Sequence, residues 1–486
     1  MNATMVRNAV HISAIFAFYL ATMMLIPGLV DLYYQNPDWQ VFALSSAIVG
    51  ALSALLAVAT RSDDPPVVST RFTFLLVNML WVTFAVGATL PFYFSELDIT
   101  LADAFFEAVS GATASGSTVL SSLDTMPPGI LLWRSMLQWI GGLGVIVLGL
   151  FILPFLRIGG SSFFKIESSD RYDRPFARFS TYATSVVGIY SALTIVCATL
   201  YAWAGMSGFD AINHAMTTMA SGGFSTHDRS MGFFNNPTIH WIAIMFMLIA
   251  ALPFTALIVL ALRSRFDTFR DNQVGIMLGY TIGLALLLVI QLDVSGTIPF
   301  SEAFTKATFT VVSIVTTTGY AIDDYMLWNS PFTVALILLA TSLGGCAGST
   351  TGGIKAARWI VLFGIIKRSL ENFIYPHAIR TVRSGSISIP EQVQYVTLMY
   401  FGCFFALWGI GTVILAMTGA DFITSVSGSL TALSNVGPGL GPEIGPAGNF
   451  GGLAESAKWI LSFGMLLGRL ELFTVLVLLS PAFWRD

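Results

Sequence analysis

Four stretches of the chain end in glycine behind a run of small and hydroxyl residues, a composition suited to offering backbone oxygen to a cation. They are Ala104–Gly116 (AFFEAVSGATASG), Ala211–Gly223 (AINHAMTTMASGG), Ala307–Gly319 (ATFTVVSIVTTTG) and Ser425–Gly437 (SVSGSLTALSNVG), and they align without a gap. Glycine reaches backbone angles that a side chain forbids, so such a strand can present carbonyl oxygens in place of an ion's hydration shell. Each stretch carries an acid at or near its start, Asp103, Asp210, Glu302 or Asp421, able to cap or complement a helix N-terminus. A helix of about 12 residues is about 18 Å long and reaches the middle of a ~30 Å hydrocarbon core. Entering from outside, it aims its negative carbonyl end inward. Exposed carbonyls at that depth are tolerable only along a wet path or around an ion. Small residues also serve close helix packing, so one such loop is ambiguous; four in one register favour a shared ring.

Two further features stand out in the apolar runs. Between Leu343 and Lys355 the chain reads GGCAGSTTGGI, with glycine at 344, 345, 348, 352 and 353. Each glycine disfavours helix by roughly 1 kcal/mol relative to alanine, so a break is expected, and a loop here would close the path below the strands. Arg469 lies near the middle of the apolar run 456–480, too far from either end to reach water, and a mid-membrane arginine normally faces a wet cavity. Glu471, two positions on, points to another face of a helix and makes a poor partner.

The elements that must hold these residues are membrane spans. Of 486 residues, 55% are hydrophobic and 10% charged, with a mean hydropathy of +0.76, against about 25% charged in a soluble domain. Two opening spans are expected near 9–30 and 40–60, peripheral to the path. Eight more follow near 72–94, 131–155, 180–205, 237–263, 274–293, 331–369, 393–419 and 456–480. The fold expected is all-α integral membrane: a two-span hairpin (1–70), then four span–pore helix–filter loop–span units around one pore. The units are 71–160, 178–265, 272–370 (with the gating loop 344–354) and 390–486. With the termini cytoplasmic, all but five of the 23 lysines and arginines fall inside, as the positive-inside rule requires. They cluster in Arg157–Arg178, Arg263–Arg270 and Lys355–Arg383. Outer segments carry acids instead, among them Asp31, Asp124, Asp228 and Asp323, which concentrate cations. No disulfide or zinc spacing joins Cys197, Cys346 and Cys403, and no nucleophile–base pair or phosphate loop suggests an enzyme. A coupled secondary transporter with broken helices is the competing class, fitted less well by a fourfold same-sense repeat.

DAFFEAVSGATASG (103–116), RSMLQWIGGLGVIVL (134–148), ASGGFSTHD (220–228), GGCAGSTTGGIK (344–355), SNVGPGLG (434–441) and GRLELFTVLVLLSPAFWR (468–485) together resemble the Trk/Ktr/HKT superfamily of potassium transporters, within it the TrkH subunits of bacterial Trk systems. The resemblance covers essentially the whole chain. It implies potassium uptake across the bacterial inner membrane, channel-like or proton-coupled, with potassium as the transported substrate and no organic cofactor. By position it implies carbonyl ligands from Thr113, Ala114, Ser115 and Gly116; Ala220, Ser221, Gly222 and Gly223; Thr316, Thr317, Thr318 and Gly319; and Ser434, Asn435, Val436 and Gly437. Here the first strand reads Thr-Ala-Ser-Gly where relatives tend to read Thr-Thr-Thr-Gly. Gly116, where some sodium-preferring relatives carry serine, favours potassium. The gate implied comprises Gly344, Gly345, Cys346, Ala347, Gly348, Ser349, Thr350, Thr351, Gly352, Gly353 and Arg469. The partners implied are a cytosolic nucleotide-binding subunit resembling TrkA, a second copy of the chain, and membrane lipid.

Overall fold

The long apolar runs fold as helices, many opened by proline or a hydroxyl and several closed by glycine. The computed structural model describes residues 3–62, 69–156, 179–263, 272–296, 298–328, 330–377, 380–385 and 387–485. The basic cluster Arg157–Arg178 and nearly all of Arg263–Arg270 lie outside these residues, as do short parts of the expected units. Helices α1 (Ala3–Tyr33) and α2 (Trp39–Ala59) form an opening hairpin that packs on α3 (Thr70–Phe94). From α3 onward one element order recurs four times: a long helix, a short one, a loop, and a returning helix. The first set is α3, α4 (Leu101–Ala112) and α5 (Pro128–Leu156). The second is α6 (Phe179–Trp203), α7 (Gly208–Met219), α8 (Pro237–Ala250) and α9 (Phe254–Arg263). The third is α10 (Asn272–Ser295), α11 (Phe300–Val315), α12 (Pro331–Ser342) and α13 (Ala356–Ile374). A small antiparallel pair, β1 (Arg383–Ser384) with β2 (Ile387–Ser388), precedes the fourth set. That set is α14 (Glu391–Met417), α15 (Phe422–Ser434), α16 (Glu455–Arg469) and α17 (Leu472–Leu479), followed by the short α18 (Pro481–Trp484).

Among the described residues seven helices are long and apolar enough to cross a membrane, or nine if each of two bent pairs counts as one span. This is a multi-pass membrane protein. α3 and α5 are the most buried of the long helices and α2, α6 and α14 the most exposed, so the core lies around the first set. There Ala104, Ala108 and Ala112 of α4 pack against a cluster holding Trp133 and Leu137 of α5; alanines four apart let two helices approach closely.

Three returning runs are broken, not one. The break at 343–355 was expected. The run 237–263, expected as a single span, turns by 98° between α8 and α9, because Pro253 has no N–H to donate and its ring clashes with the preceding turn. The run 456–480 turns by 114° between α16 and α17, where Glu471 takes a left-handed φ of 60°. Arg469 therefore stands at the end of α16, at the break within this run. Glu471 accepts from Arg358 Nη2 of α13, which lies face-on to the Tyr400 ring at 3.7 Å.

Candidate functional site

Three of the four short helices start under a side-chain cap, and α11 opens at Pro299 without one. Thr100 Oγ1 accepts from Asp103 N at 3.2 Å while Asp103 Oδ2 accepts from Thr100 N at 3.1 Å, a capping box. Ser207 Oγ accepts from Asp210 N at 3.1 Å, and Asp421 accepts from Ile423 N and Thr424 N at 3.0 and 3.3 Å. Asp421 is itself the cap; Asp103, Asp210 and Glu302 lie in the first turn, where negative charge complements the dipole.

All four helices end alike. The N–H of Ala114, Ser221, Thr317 and Asn435 reaches back three residues, to Gly111 O, Thr218 O, Ile314 O and Ala432 O, at 3.0, 3.0, 2.9 and 3.3 Å. The next N–H, of Ser115, Gly222, Thr318 and Val436, reaches back five, to Ser110 O, Thr217 O, Ser313 O and Thr431 O, at 2.9, 2.9, 2.8 and 3.1 Å. This is the Schellman termination, which places its first-named residue in the left-handed region. Ala114, Ser221, Thr317 and Asn435 have φ of 49°, 52°, 53° and 54°. Two residues later Gly116, Gly223, Gly319 and Gly437 are left-handed again, at 85°, 76°, 79° and 103°. Gly223, not Gly222, thus holds the fourth place of its strand. A non-glycine residue in this region costs about 1–2 kcal/mol, and the same cost recurs at the same place four times.

The strands also meet. A Cβ built on Gly116 would fall 2.1 Å from Gly222 O, one on Gly223 1.9 Å from Thr318 O, and one on Gly319 1.9 Å from Val436 O. One on Gly437 would fall 3.1 Å from Ser115 O, which returns the sequence of contacts to the first strand. Each glycine therefore backs onto the third-place carbonyl of the next strand, and the four close a ring. The C-terminal, carbonyl-rich ends of α4, α7, α11 and α15 come to it with their negative dipole ends. Oxygen so concentrated and so shielded suits a partly dehydrated monovalent cation. Gly116, Gly223, Gly319 and Gly437 also line one open depression, with Ser117, Thr118 and Asp228 on its wall.

The segment 344–353 packs directly against this ring and is buried or half-buried. Gly353 N donates to Ser434 O at 2.8 Å, and Gly352 N donates to Thr317 Oγ1 at 2.7 Å. Thr350 Oγ1 lies 2.8 Å from Ser221 Oγ. The loop also covers the break in the second set: Cys346 N donates to Ala251 O at 2.9 Å and Phe254 N donates to Gly348 O at 3.0 Å. Gly344 O accepts from the Tyr280 hydroxyl, and Ala347 N donates to Gln273 Oε1 at 3.1 Å. Ser349 Oγ and Thr351 Oγ1 are 2.8 Å apart, both within reach of Lys355 Nζ, and a Cβ on Gly345 would crowd Thr351. From the fourth set, Arg469 Nη1 donates to Thr350 O at 2.7 Å, while its Nε and Nη2 have no partner among the described residues. The three helix breaks converge on one loop.

Residues that sequence reasoning passed over hold the strands from behind. Glu107 and Arg134, both essentially inaccessible, pair at 2.7 Å. Glu107 also accepts from Thr118 Oγ1 and from Val119 N at 3.0 Å, while Arg134 Nη1 donates to Ser225 O at 2.8 Å. One ion pair thereby joins the exits of the first and second strands. Lys458 pairs with Asp103 and donates to Gly451 O at 2.8 Å. The signal available was a charge or amide recurring on one face of an apolar run. At the rim, His227 Nδ1 bonds Asp124, and its Nε2 lies 3.4 Å from Asp210 Oδ1. Burial opposes the imidazolium, but Asp210 and Asp124 outweigh it and raise the His227 pKa above its ordinary value.

A ring of backbone oxygen set inside a multi-pass helical protein places the chain among membrane proteins that handle ions. The family model TrkH, described as a cation transport protein, matches residues 38–281 and 276–485, and the chain belongs to that family. It is 41% identical over 475 residues to the Trk system potassium uptake protein TrkI of Halomonas elongata, covering 97% of this chain and 96% of that one. It is 36% identical over 489 residues to the Trk system potassium uptake protein TrkH of Escherichia coli K12, covering 99% of each. The crystal structure of the potassium transporter TrkH from Vibrio parahaemolyticus superposes with a TM-score of 0.91 at 34% identity, covering 99% of this chain and 100% of that one.

Proposed function

We propose that the chain takes up potassium across the bacterial inner membrane through a filter of backbone carbonyls, by a channel-like or proton-coupled route. The observation that carries this is the closed ring of four strands with left-handed residues at matching places. Thr113–Gly116, Ala220–Gly223, Thr316–Gly319 and Ser434–Gly437 are the ligand-bearing strands, and the relatives named for potassium uptake support that ion over others. The loop 344–353 is the gate, since hydrogen bonds seat it against Ser221, Thr317 and Ser434. Arg469, bonded to Thr350 O, adds a positive charge that opposes cations while the loop is seated. Both termini face the cytoplasm, in keeping with the basic segments. A cytosolic nucleotide-binding subunit resembling TrkA, and pairing of two copies in the lipid bilayer, complete the reading on the strength of the resemblance.

The test is flux into liposomes made with the purified protein, with potassium, sodium and pH gradients varied separately. Potassium flux exceeding sodium flux is expected. Flux of neither cation, or sodium moving as fast as potassium, would overturn the reading.

A further inference from the structure

The second strand lacks the internal brace that two others have. In the first strand Thr113 Oγ1 lies 2.8 Å from Ser115 Oγ, and in the third Thr316 Oγ1 lies 2.9 Å from Thr318 Oγ1. Each hydroxyl pair ties the first place of its strand to the third. Ala220 and Gly222 stand at those places in the second strand and can form no such pair.

α5 holds this strand instead. Gln138 Nε2 donates to Gly222 O at 2.7 Å, and Phe224 N donates to Gln138 Oε1 at 3.0 Å. The amide spans Gly223 as a paired backbone would, and a carbonyl on one side with an N–H on the other leaves it one orientation. One turn away Arg134 Nη1 reaches Ser225 O. One turn the other way a Cβ on Gly142 would meet Ala220 Cα at 2.9 Å. Residues 134, 138 and 142 share one helix face, and they grip the strand at its exit, middle and start. Gly222 has no left-handed φ to explain it. A Cβ there would lie 2.4 Å from both Cδ and Oε1 of Gln138, so the glycine is the space the amide occupies.

We propose that Gln138 is a positioning residue for ion discrimination, fixing the Gly222 carbonyl from outside as the hydroxyl pairs fix strands one and three. This rests on the filter reading given above. A carbonyl oxygen has two lone pairs, so Gly222 O can accept from Gln138 and still face an ion. Without the brace, a Gly-Gly backbone is the freest of the four, and a loosely held oxygen adapts to sodium as readily as to potassium.

The test is the potassium-to-sodium flux ratio in liposomes. Gln138→Leu keeps the side chain's bulk and removes both hydrogen bonds; the ratio should fall about five- to tenfold. Gly222→Thr alone, forced against Gln138, should lower it too. Combining Gln138→Ala, Ala220→Thr and Gly222→Thr rebuilds a hydroxyl pair in the vacated space and should restore most of the ratio. If Gln138→Leu does not fold, Gln138→Met, which keeps the side chain's length but offers Gly222 O no donor, should show the same fall. A native ratio in either folded single variant overturns the proposal, as does equal loss of both fluxes, the mark of a purely structural role. Gly116→Ser, run in parallel, separates the failures. If it lowers the ratio while the Gln138 variants do not, this proposal alone falls; if it too leaves the ratio native, the filter reading falls.

Discussion

A Cβ on Gly437 stops 3.1 Å from the nearest carbonyl oxygen, whereas those on Gly116, Gly223 and Gly319 would fall 2.1, 1.9 and 1.9 Å from theirs. Serine at any of the four meets the left-handed strain of about 1–2 kcal/mol, but at Gly437 the neighbouring strand need give only slightly, whereas at Gly116, Gly223 and Gly319 it must shift outright. Gly437→Ser should therefore keep potassium-over-sodium discrimination about fivefold better than Gly116→Ser, the equivalent of about 1 kcal/mol. Gly283→Ser on α10, with nothing within 4 Å of the added atom, serves as the folding control. Equal loss at all four glycines in reconstituted flux would mean that contact between strands does not govern selectivity. The glycines were legible in the sequence because the repeat ends on them. The left-handed residues two places earlier were not, since alanine, serine and threonine rarely mark that conformation and only Asn435 hints at it. Gln138 and Glu107 escaped because their partners are backbone groups or residues distant in sequence.

At the scale of elements, the loop 344–353 answers a problem that broken helices create. Ala250 and Ala251 end α8 with carbonyls that no following turn can satisfy, and Thr350 Oγ1 and Cys346 N take them. Deleting Ala347–Thr351 removes Thr350's share of that cover, the Thr350–Ser221 contact and the oxygen that holds Arg469, while leaving Gly352 and Gly353 in the chain. Potassium flux should rise severalfold with the ion preference unchanged, because a gate adds a barrier in series that is common to all ions. Unaltered flux in a folded deletion would remove the gating role. Two of the three breaks were readable from composition, the glycines at 344–353 and Pro253 within an apolar run, although only the first was expected. The third was not. The turn at Leu470–Glu471 depends on Arg358 claiming Glu471 from another helix, a contact invisible in the local sequence.

Across the molecule, the first and second sets are fastened to each other beyond the exits of their strands, by Glu107–Arg134 in the interior and by Asp124–His227–Asp210 at the rim. Since the folded His227 pKa is raised above its ordinary 6.5, the rim tie is complete below that value and is lost as pH rises through the folded value. Thermal unfolding of the detergent-solubilised protein from about pH 5.5 to about pH 9 should show a stability loss of about 1 kcal/mol or less, the size expected of a partly exposed ion pair. His227→Gln should flatten that part of the profile; an identical profile in the variant would show that the tie carries no stability. Topology was the most legible level, because hydropathy fixes where spans lie and the repeat fixes their order. How the sets fasten was not, because it depends on single buried side chains. The closed ring has a consequence for inheritance. All four of its quarters are written in one reading frame at separate codons, so a point mutation alters one quarter and leaves three as they were. An assembly of four identical chains would stamp the same change on every quarter at once. A ring made in one chain can therefore change a quarter at a time, and its second strand already differs from the other three in a glycine pair matched to an amide from α5.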